Sequence, residues 1–510
     1  MLVKTMSAAV LGVDAWPITI EVNLTEGLGY NLVGLPDNAV KESMHRIESA
    51  LHECGYLMPR RKVVINLAPA DIRKEGSAFD LPLAISLLAV SEQIGDVDIS
   101  TYFIMGELSL DGSVLPVKGV LSMAILAKKL GMQAIVVPAE NAKEAAIVSG
   151  LTVYGVTHLH ELIKHFTEEA LQPIQVDIEA VFAQQDAHFA HDFQDVKGQE
   201  GIKRAMEIAA AGAHNLILIG PPGAGKTMLA KRLPSILPPL TLEEALETTR
   251  LHSVAGKLHA HQTLITRRPY RSVHHTISDI GLVGGGAHPQ PGEISLAHHG
   301  VLFLDELPEF KRIVLEVLRQ PMEERRITIS RARFHVEFPA NFMLVSAMNP
   351  CPCGYFNHPT KECVCGSGVV RKYLNRISGP LLDRIDLHVE VTPVAFKELG
   401  ARSLGESSKA IRERVIQARN LQQQRFEGSG IYANAQMSST QLKEFVRLDE
   451  TCASLLRNAM EKLSLSARAY DRILKVTRTI ADLEKSTDIQ AQHIAEAIQF
   501  RSLDRETWGA

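Results

Sequence analysis

Hydrophobic and polar residues alternate along the chain with two periods. Runs that read as strands, bounded by turn residues or charges, occur at Ile18 to Leu24, Lys62 to Leu67 and Ala134 to Val137. Between them, Asn38 to Cys54, Asp80 to Ser91 and Val120 to Leu130 carry helical patterns. Residues 1–168 therefore read as an α+β domain. From Leu171 to Phe193 the periodicity weakens among Gln172-Pro173, Gln184-Gln185 and scattered acids, which predicts a linker over 169–193. Within 194–396, a helix from Gln199 to Gly212 leads into a strand from Asn215 to Ile219, with further strands at Val301 to Leu304 and Phe342 to Ser346. Strands separated by helices predict a parallel sheet with βαβ crossovers. Residues 397–510 are nearly all helical in pattern, and Ser466 to Glu484 sets Tyr470, Ile473, Leu474, Thr477, Ile480 and Ala481 on one face. The fold class is multidomain α/β.

Composition narrows this picture. The 510 residues are 45% hydrophobic and 22% charged, the balance of a globular protein rather than a disordered or fibrous one. A net charge of −4 gives no global drive toward nucleic acid or anionic membrane, so any polyanion site has to be a local patch. The longest apolar run, Leu81 to Val90, falls short of the roughly 18 residues a membrane span needs, and the N-terminus has no secretory h-region. A cytoplasmic location without membrane contact is expected.

The strongest chemical signal is Gly220-Pro221-Pro222-Gly223-Ala224-Gly225-Lys226-Thr227. It fits GxxxxGK[ST] between an apolar strand and a helix, the context a phosphate loop needs. Its backbone N–H groups and the helix N-terminus can cradle the phosphates of ATP, Lys226 can reach the β and γ phosphates, and Thr227 can ligate Mg²⁺. Downstream, the buried strand Val301 to Leu304 ends in Asp305 and Glu306. These suit a Mg²⁺-holding carboxylate and a residue that polarises the attacking water. Asn349, at the edge of the strand Phe342 to Ser346, can touch the γ-phosphate or that water, although Asn before Pro also starts turns.

GPPGAGKT, LFLDE, Asn349 and Gly379-Pro-Leu-Leu-Asp-Arg384-Ile-Asp together resemble an AAA+ ATPase of the magnesium-chelatase-like branch. The whole chain, including Arg73-Lys-Glu-Gly-Ser-Ala-Phe-Asp-Leu-Pro82, is similar to the YifB/ComM family, bacterial motors linked to DNA branch migration during natural transformation. The resemblance implies a central AAA+ P-loop domain, a C-terminal helical lid and a homo-hexamer. It further implies that Arg384 is an arginine finger for a neighbouring subunit and Arg468 the sensor-2 arginine. A permanently charged guanidinium suits charge developing on the γ-phosphate. A surface ion pair of Arg384 with Asp383 or Asp386 is the other reading, and Arg376 is another finger candidate.

Three further segments carry charge or thiols. Arg325 to Phe338 alternates about Arg331-Ala332 like a β-hairpin, with Arg325, Arg326, Arg331 and Arg333 near its base and tip. The resemblance makes it a pre-sensor-1 hairpin in a ring's pore, tracking DNA phosphates of single-stranded or branched substrates; a solvated hairpin is the alternative. Arg250 to Thr276 holds five Arg or Lys residues and no acid, which favours an anionic partner. Cys351, Cys353, Cys363 and Cys365 form two CxC pairs, enough for one structural Zn²⁺, or else free thiols; His358 could replace one ligand.

Residues 1–168 resemble the Lon-protease proteolytic domain, of ribosomal S5 domain 2-like fold, through Gly106 to Pro116 and Val136 to Asn141. The Ser/Lys dyad that such proteases need falls on Ala78 and Leu121, although Ser77 and Lys118 are close by. A non-proteolytic platform is expected. The functional expectation is an ATP-driven DNA motor, with a magnesium-chelatase-type ATPase subunit, a protein-remodelling ATPase or an ATP-dependent protease as alternatives.

Overall fold

The computed structural model describes residues 2–168, 171–183, 189–258, 263–286, 289–331, 334–358, 360–394, 405–463 and 465–501. In the N-terminal part the strands are β1 (Leu2–Leu11), β2 (Asp14–Thr25), β3 (Tyr30–Val33), β4 (Lys62–Ala68), β5 (Tyr102–Ile104), the short antiparallel pair β6 (Glu107–Leu108) and β7 (Val114–Leu115), β8 (Ala134–Pro138) and β9 (Thr152–Val156). Seven of them form one mixed sheet in the order β3-β4-β2-β1-β5-β8-β9. Helices Asn38–Glu53 and Asp80–Val90 cover one face and helix Val120–Lys129 the other. The apolar run at Leu81 is explained by burial, because every residue of helix Asp80–Val90 is inside. Its one acid, Asp80, is held by Arg46 at 2.7 and 3.0 Å, which offsets the cost of burying a carboxylate.

The second part begins after a stretch where the sequence predicts only a linker, yet helix Ile178–Ala183 forms there and packs Ile178, Val181 and Phe182 beside Leu121 and Leu240. Its strands are β10 (Leu216–Ile219), β11 (Tyr270–Val273), the two-residue β12 (Gly284–Gly285) and β13 (Gln290–Pro291), β14 (Val301–Leu304), β15 (Arg326–Arg331), β16 (Phe334–Pro339), β17 (Met343–Met348) and β18 (Leu387–Glu390). Five of these make a parallel sheet, β11-β14-β17-β10-β18. β10, β14 and β17 are buried along their whole length, as strands covered on both faces must be. β15 and β16 pair antiparallel with Arg331 opposite Phe334, forming the expected hairpin. Its Ile327, Ile329, Val336 and Phe338 face the core, and Val336 lies against Gly12 in the β1–β2 turn.

The C-terminal part is helical: Ser408–Arg425, Ser439–Phe445, Glu450–Lys462, Ala467–Leu483 and Ala491–Gln499. Helix Ala467–Leu483 starts where Ser466 caps it, its side chain accepting from the Ala469 N–H. Ile473, Leu474, Thr477, Ile480 and Ala481 are buried as the spacing predicts, whereas Tyr470 stays 39% exposed. The stripe packs on helix Glu200–Gly212, so these helices share one apolar cluster with the central sheet. Among the described residues no helix is long and apolar enough to cross a membrane.

Candidate active site

The parallel register brings the ends of β10, β14 and β17 to one edge of the sheet, with Gly220, Asp305 and Asn349 leaving it side by side. The loop Gly220 to Gly225 turns there because Gly223 and Gly225 take φ of +79° and +91°, a region that side chains disfavour. Helix Lys226–Arg232 begins immediately after it, so its free N–H groups face the loop.

Lys226 is buried, and its Nζ donates to Gly220 O at 2.7 Å, Pro221 O at 2.9 Å and Asn349 Oδ1 at 3.0 Å. Burial lowers its pKa from the usual lysine value, opposed by the charges of Asp305 and Glu306. Thr227 Oγ1 donates to Asp305 Oδ2 at 2.7 Å, joining the hydroxyl and the carboxylate expected to share a divalent cation. Glu306 follows in the left-handed region at φ +53°, its N–H bonded to Asp305 Oδ1 at 2.9 Å. Its carboxylate is more than half exposed and sits 3.2 Å from His275 Nδ1. The predicted residues Gly220 to Thr227, Asp305, Glu306 and Asn349 therefore converge on one site.

Two neighbours of this site were not legible in the sequence. Gln199 takes φ of +58° ahead of helix Glu200–Gly212, which lets its side chain reach back to donate to Ala224 O and Thr392 O, each at 3.2 Å. Its Oε1 is buried without a partner among the described residues, an acceptor free for a ligand beside the loop. His275, just beyond β11, has as its only sequence signal a place in the basic stretch. That stretch is not a free patch: Arg250 pairs with Asp14, Arg268 with Glu244 and Arg271 with Glu293.

The positively charged residues predicted for phosphate or DNA separate into different environments. Arg384 is 7% exposed, bonded to Pro380 O at 2.6 Å and to Glu323 at 2.6 Å, rather than to Asp383 or Asp386. Arg468 is 61% exposed and pairs with Asp383 at 3.7 Å, next to Arg384 rather than beside Lys226. Arg376 pairs with Glu309 at 2.9 Å. Arg326 lies on the hairpin surface between Glu324 and Glu337, while Arg325 turns inward beside Arg472. The Arg331 side chain and the whole of Arg333 lie outside the described residues.

The four cysteines come together directly after Asn349. Their Sγ atoms all lie within 4.8 Å of one another, with Cys351, Cys353 and Cys363 separated by 3.3 to 3.7 Å. Four sulfurs bound at about 2.3 Å to one tetrahedral Zn²⁺ would stand about 3.8 Å apart, so the donor set fits that ion. The Tyr355 backbone N–H, before other causes, holds the Cys353 thiol down at about 6, while, despite a backbone N–H on each, burial and the neighbouring cysteines push Cys363 and Cys365 up, so the four do not all ionise without a metal. His358 is not part of this group among the described residues. The loop also touches the Gly220 to Thr227 segment: Gly354, at φ +84°, approaches Pro222 so closely that an added Cβ would stand 2.4 Å from Pro222 Cδ.

In the N-terminal part, Ala78 and Ser77 border a cleft of about 500 Å³ that Lys118 also lines. Ser77 donates to Glu107, and Leu121 is buried with its N–H on Glu144.

Comparison with known sequences agrees with this geometry. Residues 192–399 match the magnesium chelatase subunit ChlI family, residues 20–141 the subunit ChlI of Mg-chelatase family, and residues 405–501 the ChlI C-terminal family. The chain is 44% identical over 505 residues to YifB of Salmonella typhimurium, covering 98% of this chain and 96% of that protein. It is 43% identical over 508 residues to the competence protein ComM of Haemophilus influenzae, covering 98% and 97%. A partial match, 30% over 189 residues, covers 31% of this chain and 33% of Lon protease 2 of Bacillus subtilis. The chain belongs to the YifB/ComM family of magnesium-chelatase-like proteins, an AAA+-like ATPase family.

Proposed function

We propose that the protein is an ATP-hydrolysing AAA+ ring motor that acts on DNA, with ComM-like branch migration or helicase activity in natural transformation or recombination. The observation that carries the ATPase reading is the pair of contacts Lys226–Asn349 and Thr227–Asp305, which join three strand ends into one phosphate-facing site. Mg²⁺ fits Thr227 and Asp305, and when bound it would neutralise phosphate charge. Lys226 holds the terminal phosphates, Glu306 accepts the proton of the attacking water, and Asn349 orients that water. Gln199 adds a buried acceptor beside the phosphate loop.

Arg384 is the arginine finger that serves a neighbouring subunit's nucleotide in a homo-hexamer, and Arg468, paired with Asp383, is the sensor-2 arginine. Glu323 holds Arg384 until a neighbour's phosphate competes for it. Zn²⁺ on Cys351, Cys353, Cys363 and Cys365 braces the loop that backs Pro222. The N-terminal part is a Lon-like domain used as a platform, since Ser77 is bound to a carboxylate and the dyad positions hold Ala78 and Leu121. Contact of Val336 with Gly12 ties that platform to the hairpin. The domains are 1–168, linker 169–193, ATPase core 194–396 and lid 397–510.

DNA as partner is supported by the exposed hairpin and by the name of the Haemophilus relative. The test is ATP hydrolysis at low salt without DNA, with single-stranded DNA and with a four-way junction. Stimulation that is lost in Arg331→Ala/Arg333→Ala while basal hydrolysis persists supports the motor. Hydrolysis indifferent to every DNA favours the second reading, a chelatase-type ATPase subunit, whose name the matching families share, or a protein-remodelling ATPase.

A further inference from the structure

The end of the central sheet opposite the phosphate loop borders a second cavity of about 70 Å³, room for about five waters. Four arginines, Arg268, Arg325, Arg419 and Arg472, line it against two carboxylates, Glu244 and Asp386. The carboxylates are already engaged. Glu244 takes two bonds from Arg268 at 2.8 and 3.2 Å. Asp386 takes Arg472 at 3.1 Å and the Asn215 N–H at 2.9 Å. Arg419 donates to the carbonyls of Ala210 and Ala211 at 2.9 and 3.0 Å.

Arg325 makes no side-chain hydrogen bond or ion pair among the described residues. The acids on its other side have partners: Arg326 stands between Glu324 and Glu337, and Glu247 lies on His298 and His299. Burial, with Arg472 beside it, holds the Arg325 guanidinium down at about 10, still charged at neutral pH. Its backbone is fixed by Arg325 N–H to Pro321 O at 3.0 Å and Ala340 N–H to Arg325 O at 2.7 Å, with φ of +57°. Glycine or asparagine would adopt that turn more readily, so the backbone gives no reason for a long cation here. Arg325 is half-buried, so water now reaches its guanidinium, and an oxyanion can take the place of that water beside the excess positive charge.

We propose that this cavity binds one phosphate-class oxyanion, held by Arg325 and Arg472 where the hairpin base, the central sheet and the C-terminal helices meet. The five non-hydrogen atoms of such an ion suit the space. The site is separate from the nucleotide site, because it lies where the strands begin and the phosphate loop lies where they end. Arg325 starts the hairpin and Arg472 is on the helix that carries Arg468, so the ion ties those two elements together. The inference is independent of the motor reading.

The test is thermal unfolding of the full chain without nucleotide, titrated with inorganic phosphate against sodium chloride at matched ionic strength. It is run in Lys226→Ala to weaken phosphate capture by the loop. The expected result is a midpoint that rises with phosphate, and about ten-fold more phosphate needed for the same rise when Arg325→Gln is added. Without phosphate, Arg325→Gln is expected to leave the midpoint unlowered, since it removes an unpaired charge. No rise in Lys226→Ala, or a rise that ignores Arg325→Gln, overturns the proposal. An oligonucleotide that displaces phosphate from the Arg325-dependent site would put the phosphate on a strand and overturn the free-ion assignment. Should Arg325→Gln fail to fold, selenate soaked into crystals of the unaltered protein decides: an anomalous peak beside Arg325 supports the site, and an empty cavity sinks it.

Discussion

The two ends of one five-stranded sheet treat charge in opposite ways. Where the strands finish, Lys226 is buried among its own loop carbonyls and Asn349, with Asp305 and Glu306 close enough to oppose the effect of burial. Where the strands begin, arginines outnumber carboxylates and Arg325 has no partner among the described residues. The first end is ready for a phosphate chain together with its cation; the second has room and charge for a bare anion. Similar cations thus do different work according to which counter-charges share their space.

The largest expected effect separates the ends outright. Lys226→Ala should lower ATP turnover by about 100-fold or more, measured as phosphate release, because it removes the cation aimed at charge that develops in the transition state. The Arg325-dependent phosphate effect should survive in the same variant. Hydrolysis that persists in Lys226→Ala would break the assignment of the nucleotide end.

A smaller effect tests how the nucleotide end is supported. Gly354→Ala places a Cβ 2.4 Å from Pro222 Cδ at a φ of +84°. Overpacking of this kind costs about 1–3 kcal/mol, and the left-handed backbone adds about 1–2 kcal/mol. The variant should melt earlier and bind Mg-ATP several-fold more weakly by isothermal titration. Chelation of a metal from the four cysteines should shift nucleotide affinity in the same direction, because Cys351 and Cys353 lie in the same turn as Gly354. A chelator that leaves affinity unchanged would detach the cysteine loop from the site.

How much could be read in the sequence follows the same division. The phosphate loop is contiguous, and Asp305 and Asn349 each follow an apolar strand, so local pattern located them once a parallel sheet was inferred. Strand windows at Lys62, Ala134, Asn215 and Val301 agreed to within a residue or two, because their periodicity reports burial directly. β11 was missed: Tyr270–Val273 lies in a basic stretch, and Arg271 is tolerated there only because Glu293, 22 residues on, neutralises it at 2.6 Å. The far cavity was illegible for the same reason, since its arginines come from four separate segments and only tertiary packing brings them together. Sequence grouped Arg325 with the hairpin arginines, and nothing local marks it as the one that turns inward. Gln199 escaped notice because its role depends on a left-handed residue ahead of a helix.

Acid should act on the far end through its histidines. His388 is fully buried on β18, facing Arg501 and Asp386, and burial first, then Arg501, holds its pKa well below the usual value. His214, fully buried just before β10, is also lowered by burial, against the pull of Asp386. The folded-state pKa values lie below those of the unfolded chain, so this stability is present above about pH 6.5 and is lost as pH falls below it, where only the unfolded chain takes up protons. Each histidine contributes up to about 1.4 kcal/mol per pH unit in that window. The thermal midpoint should fall from pH 7 to pH 5.5, and His388→Gln should flatten the fall if the variant folds. A profile unchanged by His388→Gln would mean that His388 takes up a proton in the fold.

The smallest effect comes from the residue next to the inward arginine. Arg326 is 54% exposed, with Glu324 at 3.7 Å and Glu337 at 3.5 Å, in water that screens both pairs. Arg326→Ala should therefore change stability by less than about 1 kcal/mol and leave the phosphate-dependent midpoint where it was. If it contributes to a strand's phosphates it should instead reduce the salt dependence of DNA-stimulated hydrolysis, by about one counter-ion in the slope of log affinity against log salt. Adjacent arginines would then give opposite readouts, Arg325 to a free oxyanion and Arg326 to a polyanion. Loss of the phosphate response in Arg326→Ala would merge the two and erase the distinction between the hairpin surface and the cavity beneath it.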